Sequence, residues 1–237
     1  MKRFQKQNNI QESFDTTLID TDLSKVAFDL VEVSIDSLIR DGTFKDIPVI
    51  GTITGLMRFG ANIKDKLSLK KIVYFLNELK DISPKERKKM IDQIDNSKKY
   101  RVKVGEKLLY IIDNCNDYIN SELVARLFKN FIEKKISYDD FLRCSDIVET
   151  ITNYDLEWFL KNNPNKSYPS YLYVENIPGS LISSGLFDLS SDTIEVKVGA
   201  TRYGGGSEAE ASGGDMVASL SDIGKIIMEI FNPEYKK

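Results

Sequence analysis

Apolar residues recur every three or four positions through most of the first 160 residues, which is the spacing of amphipathic helices. The segments DLSKVAFDLVEVSIDSLIRDG and KDKLSLKKIVYFLNELKD both follow this pattern. Ser83, Pro84 and Glu86 then supply an N-cap, a proline at the first helical position and a capping-box glutamate. This combination predicts the start of a further helix.

Three more helices are predicted downstream, one after Ser97, one in NSELVARLFKNFIEKK and one after Ser137. The connections are two to five residues long, which makes successive helices antiparallel neighbours. We therefore expect a helical bundle over residues 20–163. The polar, Gln/Asn-rich residues 1–19 are expected to form a flexible N-terminal arm.

Helical periodicity stops after WFLKNNPNK. Residues 193–198 alternate between apolar and polar as a strand does, residues 216–220 can pair with them, and Ser221 can cap a last helix. Six glycines between residues 199 and 214 predict a long hairpin loop. The expected fold is mainly α, a multi-helix bundle followed by a small α+β module with a winged-helix-like hairpin over residues 164–237.

The apolar stretch DIPVIGTITGLMRFGANIKD could belong to several kinds of structure. Its uncharged run ends at Arg58, too early for the roughly 20 apolar residues of a membrane span. The spacing of Gly51, Gly55 and Gly60 matches no phosphate-binding loop. Two interpretations remain open: a buried core helix whose glycines let a neighbouring backbone approach, or a helix over residues 47–63 that inserts conditionally into a membrane or a partner.

Gly105 lies inside the helix predicted after Ser97. A glycine there costs roughly 1 kcal/mol relative to alanine. It is therefore expected, like the glycines of the apolar stretch, to mark a place where another helix comes close.

The composition argues against several chemistries. The 237 residues include no histidine, which removes the usual general base of serine and cysteine hydrolases. Cys115 and Cys144 form no CxxC motif and lie on apolar helical stripes, so they are expected to be buried free thiols. FIEKKISYDDF lacks the ligand spacing of a calcium-binding EF-hand. We expect no catalytic residues, no metal site and no cofactor.

The net charge is only −3, but it is unevenly distributed. Residues 61–107 hold 14 Lys or Arg against 7 Asp or Glu, so the helical region 64–107 is basic. This region could be a solvated helical face or a weak nucleic-acid-binding surface. The candidate contacts for nucleic acid are Lys70, Lys71, Lys85, Arg87, Lys88, Lys89, Lys98, Lys99 and Arg101.

Tyrosines are concentrated in the C-terminal region, where they could bind a protein partner or cover the neighbouring core. The candidate partner-binding residues are Tyr168, Tyr171, Tyr173, Arg202 and Tyr203. The N-terminal sequence MKRFQKQNNIQESF lacks the apolar core of a signal peptide, which predicts a cytoplasmic location.

SLISSGLFDL, the glycine-bearing hairpin and ASLSDIGKIIMEI resemble the closing part of a winged-helix domain. No Lys or Arg occurs between Ser167 and Val196, so the resemblance favours a degenerate winged helix that contacts proteins and not DNA. The segments VGEKLLYIIDN, LVARLFKNFIEKKISYDDFLR and LSDIGK, with the apolar stretch, also resemble a group of bacterial and phage-borne helical proteins of unknown function. That resemblance implies a helical fold and an association with phage–host conflict.

These observations predict a non-enzymatic cytoplasmic interaction protein that binds a protein partner or itself, in phage defence, immunity or counter-defence. A nucleic-acid-binding regulator that uses the basic region 64–107 is the alternative. A membrane-active effector that uses residues 47–63 is the second alternative.

Overall fold

The structure is a computed structural model that describes residues 2–25, 44–57, 63–162, 171–200, 207–232 and 235. The chain divides into two compact units, Met1–Asn153 and Tyr154–Lys237. The described part of the first unit is helical, and that of the second combines helices with antiparallel strands. The predicted fold class, a mainly α chain with a small C-terminal α+β module, is confirmed.

The described residues of the first unit form seven α-helices: α1 Lys2–Asp20, α2 Pro48–Met57, α3 Ile63–Glu78, α4 Pro84–Asp95, α5 Val104–Asn114, α6 Tyr118–Ile132 and α7 Tyr138–Val148. The capping box predicted at Ser83 is present, and Ser137, which was predicted to start a helix, forms a second capping box with Asp140. In each box the serine hydroxyl accepts a hydrogen bond from the third helical N–H, and the third side chain accepts one from the serine N–H. Both helix starts are thus determined by residues within four positions of each other.

The core of the first unit forms where α3 packs against α6. The rings of Phe75 and Phe128 lie 6.1 Å apart, and the ring of Phe141 lies 5.4 Å from that of Phe128. All three side chains are fully buried. Each such burial contributes about 1.5 to 3 kcal/mol, so this aromatic cluster is a main source of stability.

The N-terminal residues form a packed helix, and the expectation of a flexible arm over residues 1–19 is wrong. Phe14 and Leu18 are buried, and the Phe14 ring lies 6.1 Å from that of Phe75. The Thr17 hydroxyl accepts a hydrogen bond of 3.1 Å from the Val49 N–H, which joins α1 to α2. Two large apolar residues four positions apart are enough to dock a helix whose other faces are polar.

The segment predicted as a helix from residue 22 is described only at its beginning, where Leu23–Lys25 form a single 3₁₀ turn. The remainder of that predicted helix lies outside the described residues.

The second unit contains one longer helix at each end and short elements between them. These are α8 Asn153–Asn162, which begins one residue before the unit, β1 Leu172–Tyr173, a 3₁₀ turn Val174–Asn176, α9 Gly179–Ile182, β2 Phe187–Ser191, β3 Glu195–Ala200, β4 Ser207–Ser212, β5 Met216–Leu220 and α10 Asp222–Phe231. The bundle predicted over residues 20–163 includes α8, whereas in the structure the compact unit that contains Tyr154 continues to the C-terminus.

The strands of the second unit form an antiparallel three-stranded sheet in the order β1, β5, β2 and a two-stranded sheet of β3 and β4. Phe187 of β2 packs edge-on against Phe159 of α8, with ring centroids 5.6 Å apart. The Ser221 hydroxyl accepts a 3.0 Å hydrogen bond from the Gly224 N–H, which confirms the predicted cap of α10. The helix before the hairpin, α9, has only four residues.

Candidate partner-binding site

β2, β3, β4 and β5 form one long antiparallel ribbon. Phe187 faces Leu220 in the β2–β5 pair, and Glu195 faces Ser212 in the β3–β4 pair. The same antiparallel register runs through both pairs, because moving one residue forward on β2 or β3 always corresponds to moving one residue back on β5 or β4. We call residues 187–200 and 207–220 the ribbon, and its β3–β4 part the distal ribbon.

A pair of glycines interrupts the ribbon between its two parts. Gly213 and Gly214 have φ angles of 90° and 86°, which side-chain-bearing residues rarely adopt. A Cβ atom on Gly213 would also lie 2.1 Å from the carbonyl oxygen of Thr193. The alternation of apolar and polar residues shifts by one position at this break. Before it the apolar residues stand at odd-numbered positions, Phe187 and Leu189, and in β3 they stand at even-numbered positions.

The distal ribbon carries an exposed apolar face. Ile194, which directly precedes β3, and Val196 and Val198 of β3 are 63%, 59% and 69% exposed. Their alternate positions place them on one face, while Glu195 and Lys197 lie on the other. Five of the eleven large apolar side chains that are exposed among the described residues belong to the ribbon. Exposed apolar patches of this kind are typical of interaction surfaces.

The edges of the distal ribbon are open. Within the described part of the chain, β3 and β4 pair only with each other. Alternate backbone N–H and C=O groups on the outer side of each strand therefore lack a strand partner, and a further strand can add there.

Two of the tyrosines that the sequence singled out lie beside the ribbon. Tyr173 belongs to β1 and faces Val217 of β5, and its side chain is 39% exposed. Tyr171 is half-buried, and its ring meets that of Tyr173 edge-on at 5.8 Å. The other three candidate partner-binding residues, Tyr168, Arg202 and Tyr203, lie outside the described residues.

Sequence analysis did not propose Ile194, Val196 and Val198 as binding residues. The alternation of TIEVKV predicts a strand, but it assigns no contact and no exposure to the apolar residues. The expected pairing of residues 193–198 with residues 216–220 is wrong, because β5 pairs with β1 and β2, whereas β3 pairs with β4, a strand inside the segment predicted as a loop. Among the described residues β4 is the one strand paired with β3, and this pairing leaves the apolar face exposed.

The apolar stretch forms α2, in which Val49, Ile50, Ile53 and Met57 are buried. Gly51 lies against a neighbouring backbone, since a Cβ atom there would be 2.7 Å from the Lys45 carbonyl oxygen. No described atom lies within 4 Å of a Cβ built at Gly55, so the described structure assigns the close approach to Gly51 and shows none at Gly55. Gly60 lies outside the described residues.

Gly105 is also at a close approach, although the neighbour is a side chain. A Cβ atom there would lie 1.7 Å from the Asp15 carboxylate oxygen of α1. The N–H of Val104 donates a 2.8 Å hydrogen bond to Asp95. Two carboxylates therefore meet the positive N-terminal end of α5, and glycine leaves room for one of them.

Arg87, one of the nine candidate nucleic-acid contacts, is fully buried. Its Nε donates a 2.7 Å hydrogen bond to the Leu18 carbonyl oxygen, and its other nitrogens donate to the carbonyl oxygens of Thr21, Leu79 and Ile82. Burial lowers the pKa of Arg87 to about 10, which leaves it charged at neutral pH. The proposed contact between Arg87 and nucleic acid is therefore wrong, because no phosphate can reach the guanidinium.

Four of the other candidate cations are engaged within the protein. The Lys70 ammonium lies 3.6 Å from the centre of the Tyr118 ring, and that of Lys71 donates to the Asp113 carbonyl oxygen at 2.9 Å. Lys88 lies 3.8 Å from the Asp20 carboxylate, and Lys99 pairs with Asp139. The hydrogen bond from Lys99 holds the pKa of the Asp139 carboxyl below its usual range.

The remaining candidates are Lys85, Lys89, Lys98 and Arg101, which are exposed on α4 and on the loop that follows it. None of the four forms an ion pair with a described carboxylate. They are the cations of this set that remain available for an anionic partner.

Cys115 and Cys144 are buried, as expected, and burial raises the pKa of each thiol to about 12. Across the described residues, no three Cys, Asp or Glu side chains are grouped in a way that could hold a metal ion. No described helix combines the length and the apolar character that crossing a membrane requires.

Comparisons with known protein families, with curated proteins and with solved structures found no match to this chain.

Proposed function

We propose that this chain is a non-enzymatic protein-interaction module and that its binding surface is the distal ribbon. The observation that carries the proposal is the exposure of Ile194, Val196 and Val198 on a two-stranded ribbon with open edges. A partner strand that pairs with an edge gains backbone hydrogen bonds, while its alternate side chains cover the apolar face.

The apolar face is large enough to favour binding. Full burial of an exposed Val or Ile contributes about 1.5 to 3 kcal/mol. These three side chains are roughly two-thirds exposed, so covering them provides on the order of 3 to 5 kcal/mol before the entropic cost of association.

The charges of the ribbon argue for a protein partner over nucleic acid. Residues 187–220 contain six Asp or Glu and two Lys or Arg, so the ribbon repels phosphate. In the helical unit, the burial of Arg87 and the internal contacts of Lys70 and Lys71 weaken the nucleic-acid alternative. The partly buried packing of α2 likewise gives the membrane-active alternative no support. A role in phage–host conflict is proposed from the sequence resemblance alone.

The proposal is tested by purifying tagged protein with its partners from the native host, after nuclease treatment. The Val196→Glu variant places a charge on the apolar face. The matched control is Leu67→Glu, because Leu67 is also about half exposed, at 52%, but belongs to the helical unit. We expect proteins, including untagged copies of the chain, to be retained by the wild type and the control and lost by Val196→Glu.

A set of retained proteins that Val196→Glu leaves unchanged would refute the ribbon as the binding surface. Thermal unfolding of all three proteins shows whether the substitutions leave the fold intact. Little change is expected, since both positions are exposed.

A further inference from the structure

Residues 194–198, of which the last four begin β3, are symmetric about Val196 in both shape and charge. Ile194 and Val198 lie two positions to either side of it, and both are β-branched and exposed. Glu195 and Lys197 lie one position to either side, and they carry opposite charges on the other face of the strand. Such a strand is complementary to a second copy of itself that runs in the opposite direction.

We propose that the occupant of the β3 edge is a second copy of this chain, and that the two β3 strands pair antiparallel about Val196. This inference rests on the proposed function, because it names the partner of the same surface. Val196 then faces Val196 of the second copy, and Ile194 faces Val198. Each Glu195 faces a Lys197, so two opposite-charge pairs form across the interface.

The backbone permits this register. An edge strand presents the N–H and C=O groups of every second residue, so an antiparallel partner must present a matching alternate set. Pairing about Val196 joins even-numbered residues to even and odd-numbered residues to odd. The outward backbone groups of the two copies therefore lie opposite each other, whether β3 leaves the even-numbered or the odd-numbered residues unpaired. A shift by one residue joins odd to even and removes this match.

The charges disfavour the two nearest registers that the backbone also permits. A shift by two residues brings Glu195 opposite Glu195 in one direction and Lys197 opposite Lys197 in the other. Like charges directly opposite one another destabilise strand pairing. β4 offers no comparable arrangement, because its sequence, SEAEAS, contains no Lys or Arg. The β3 edge is therefore the self-complementary one.

The product is a four-stranded sheet in the order β4, β3, β3, β4, and the exposed Ile and Val residues of both copies line one face. Because β3 begins at Glu195, pairing about Val196 brings residues 195–197 of the two strands opposite one another, with Ile194 and Val198 at the ends, and five residues span only about 17 Å. This contact is smaller than the roughly 800 Å² per partner of a standard stable interface. The dimer is therefore expected to be weak, with a dissociation constant in the micromolar range or above, and to form in a concentration-dependent way.

Charge reversal tests the register by sedimentation velocity of the full chain over a range of concentrations. Glu195→Lys alone and Lys197→Glu alone each convert both opposite-charge pairs into like-charge pairs. Glu195→Lys is the more specific of the two, because Glu195 faces Ser212 within its own ribbon, whereas Lys197 faces Glu210. We expect either variant to weaken self-association about tenfold or more. The double variant Glu195→Lys with Lys197→Glu restores the pairs, and so does an equimolar mixture of the two single variants. Both arrangements should recover association to near the wild-type level.

Cysteine cross-linking gives an independent measurement of the same register. Val196→Cys places the new thiols opposite each other, so mild oxidation should produce a disulfide-linked dimer. Val198→Cys is the matched control, because two such thiols would be separated by four residues along the strands. Cys115 and Cys144 are buried and should not compete.

A wild type that stays monomeric at about 0.5 mM, or charge variants that associate like the wild type, would overturn the second-copy proposal. So would equal cross-linking of Val196→Cys and Val198→Cys. If the wild type is monomeric but still captures another protein through Val196, the proposed function stands and only the identity of the partner is wrong. If neither capture nor self-association depends on the ribbon, both proposals fail.

Discussion

Arg87 connects three helices of the first unit, and its removal should destabilise the protein strongly. It lies in the first turns of α4 and donates to carbonyl oxygens at the C-terminal end of α1 and just beyond α3. Helix ends leave carbonyl groups without partners inside the helix. One buried guanidinium satisfies several of these groups, and the nearby Asp22 contributes favourably to its charge.

The cost of Arg87→Ala can be estimated from these contacts. The variant removes the donor to four carbonyl groups, of which the one at Leu79 is weakly bound at 3.4 Å. A buried polar group left without a partner costs about 1 to 3 kcal/mol, and water entering the vacated space recovers part of that cost. We expect a loss of about 4 kcal/mol or more, which corresponds to a fall in Tm of about 10 °C for a chain of this size.

Urea denaturation and thermal unfolding measure this loss. Arg87→Met keeps most of the volume and removes the donors, so it separates the hydrogen bonds from the packing and should retain most of the destabilisation. Lys88→Ala is the matched control, because the adjacent side chain is exposed and its only described ion pair, to Asp20 at 3.8 Å, should contribute less than about 1 kcal/mol. An Arg87→Ala variant that unfolds like the Lys88→Ala variant would refute the connecting role.

Three further predictions concern the first unit. Gly51→Ala should lose about 1 to 3 kcal/mol because its Cβ meets a backbone carbonyl, whereas Gly55→Ala should be neutral or gain up to about 1 kcal/mol as a helix-interior replacement. Equal unfolding midpoints for the two variants would contradict this assignment. Cys115 and Cys144 should react with a thiol reagent at pH 8 only after unfolding, since burial raises the pKa of both to about 12; rapid labelling of native protein would count against it. Burial also raises the pKa of Asp15, so ionisation of this carboxyl destabilises the fold. The stability of the wild type relative to Asp15→Asn should therefore fall as the pH rises from about 4 towards neutral. Urea denaturation of both proteins measures this difference, and a difference that does not change with pH would disprove the expectation.

Features that depend on neighbouring residues can be predicted from the local amino-acid pattern. Ser83 and Ser137 start helices because their hydroxyls bond to an N–H three residues later. The apolar spacing in α3 to α7 predicts helices, because one helical turn brings residues three and four positions apart onto one face. The alternation of residues 193–198 likewise predicted a strand, because successive side chains of a strand point to opposite faces.

Which of these features are exposed and which are buried depends on contacts between distant segments. Arg87 looked like one cation among nine, and its burial depends on carbonyl groups up to 69 residues away in the sequence. The docking of α1 depends on Phe75, which a local pattern cannot bring close. The apolar face of β3 is open because, among the described residues, β4 is its only partner strand. The physical reason is common to all three: capping and periodicity act within about four residues, whereas burial depends on contacts that form only when distant segments fold together.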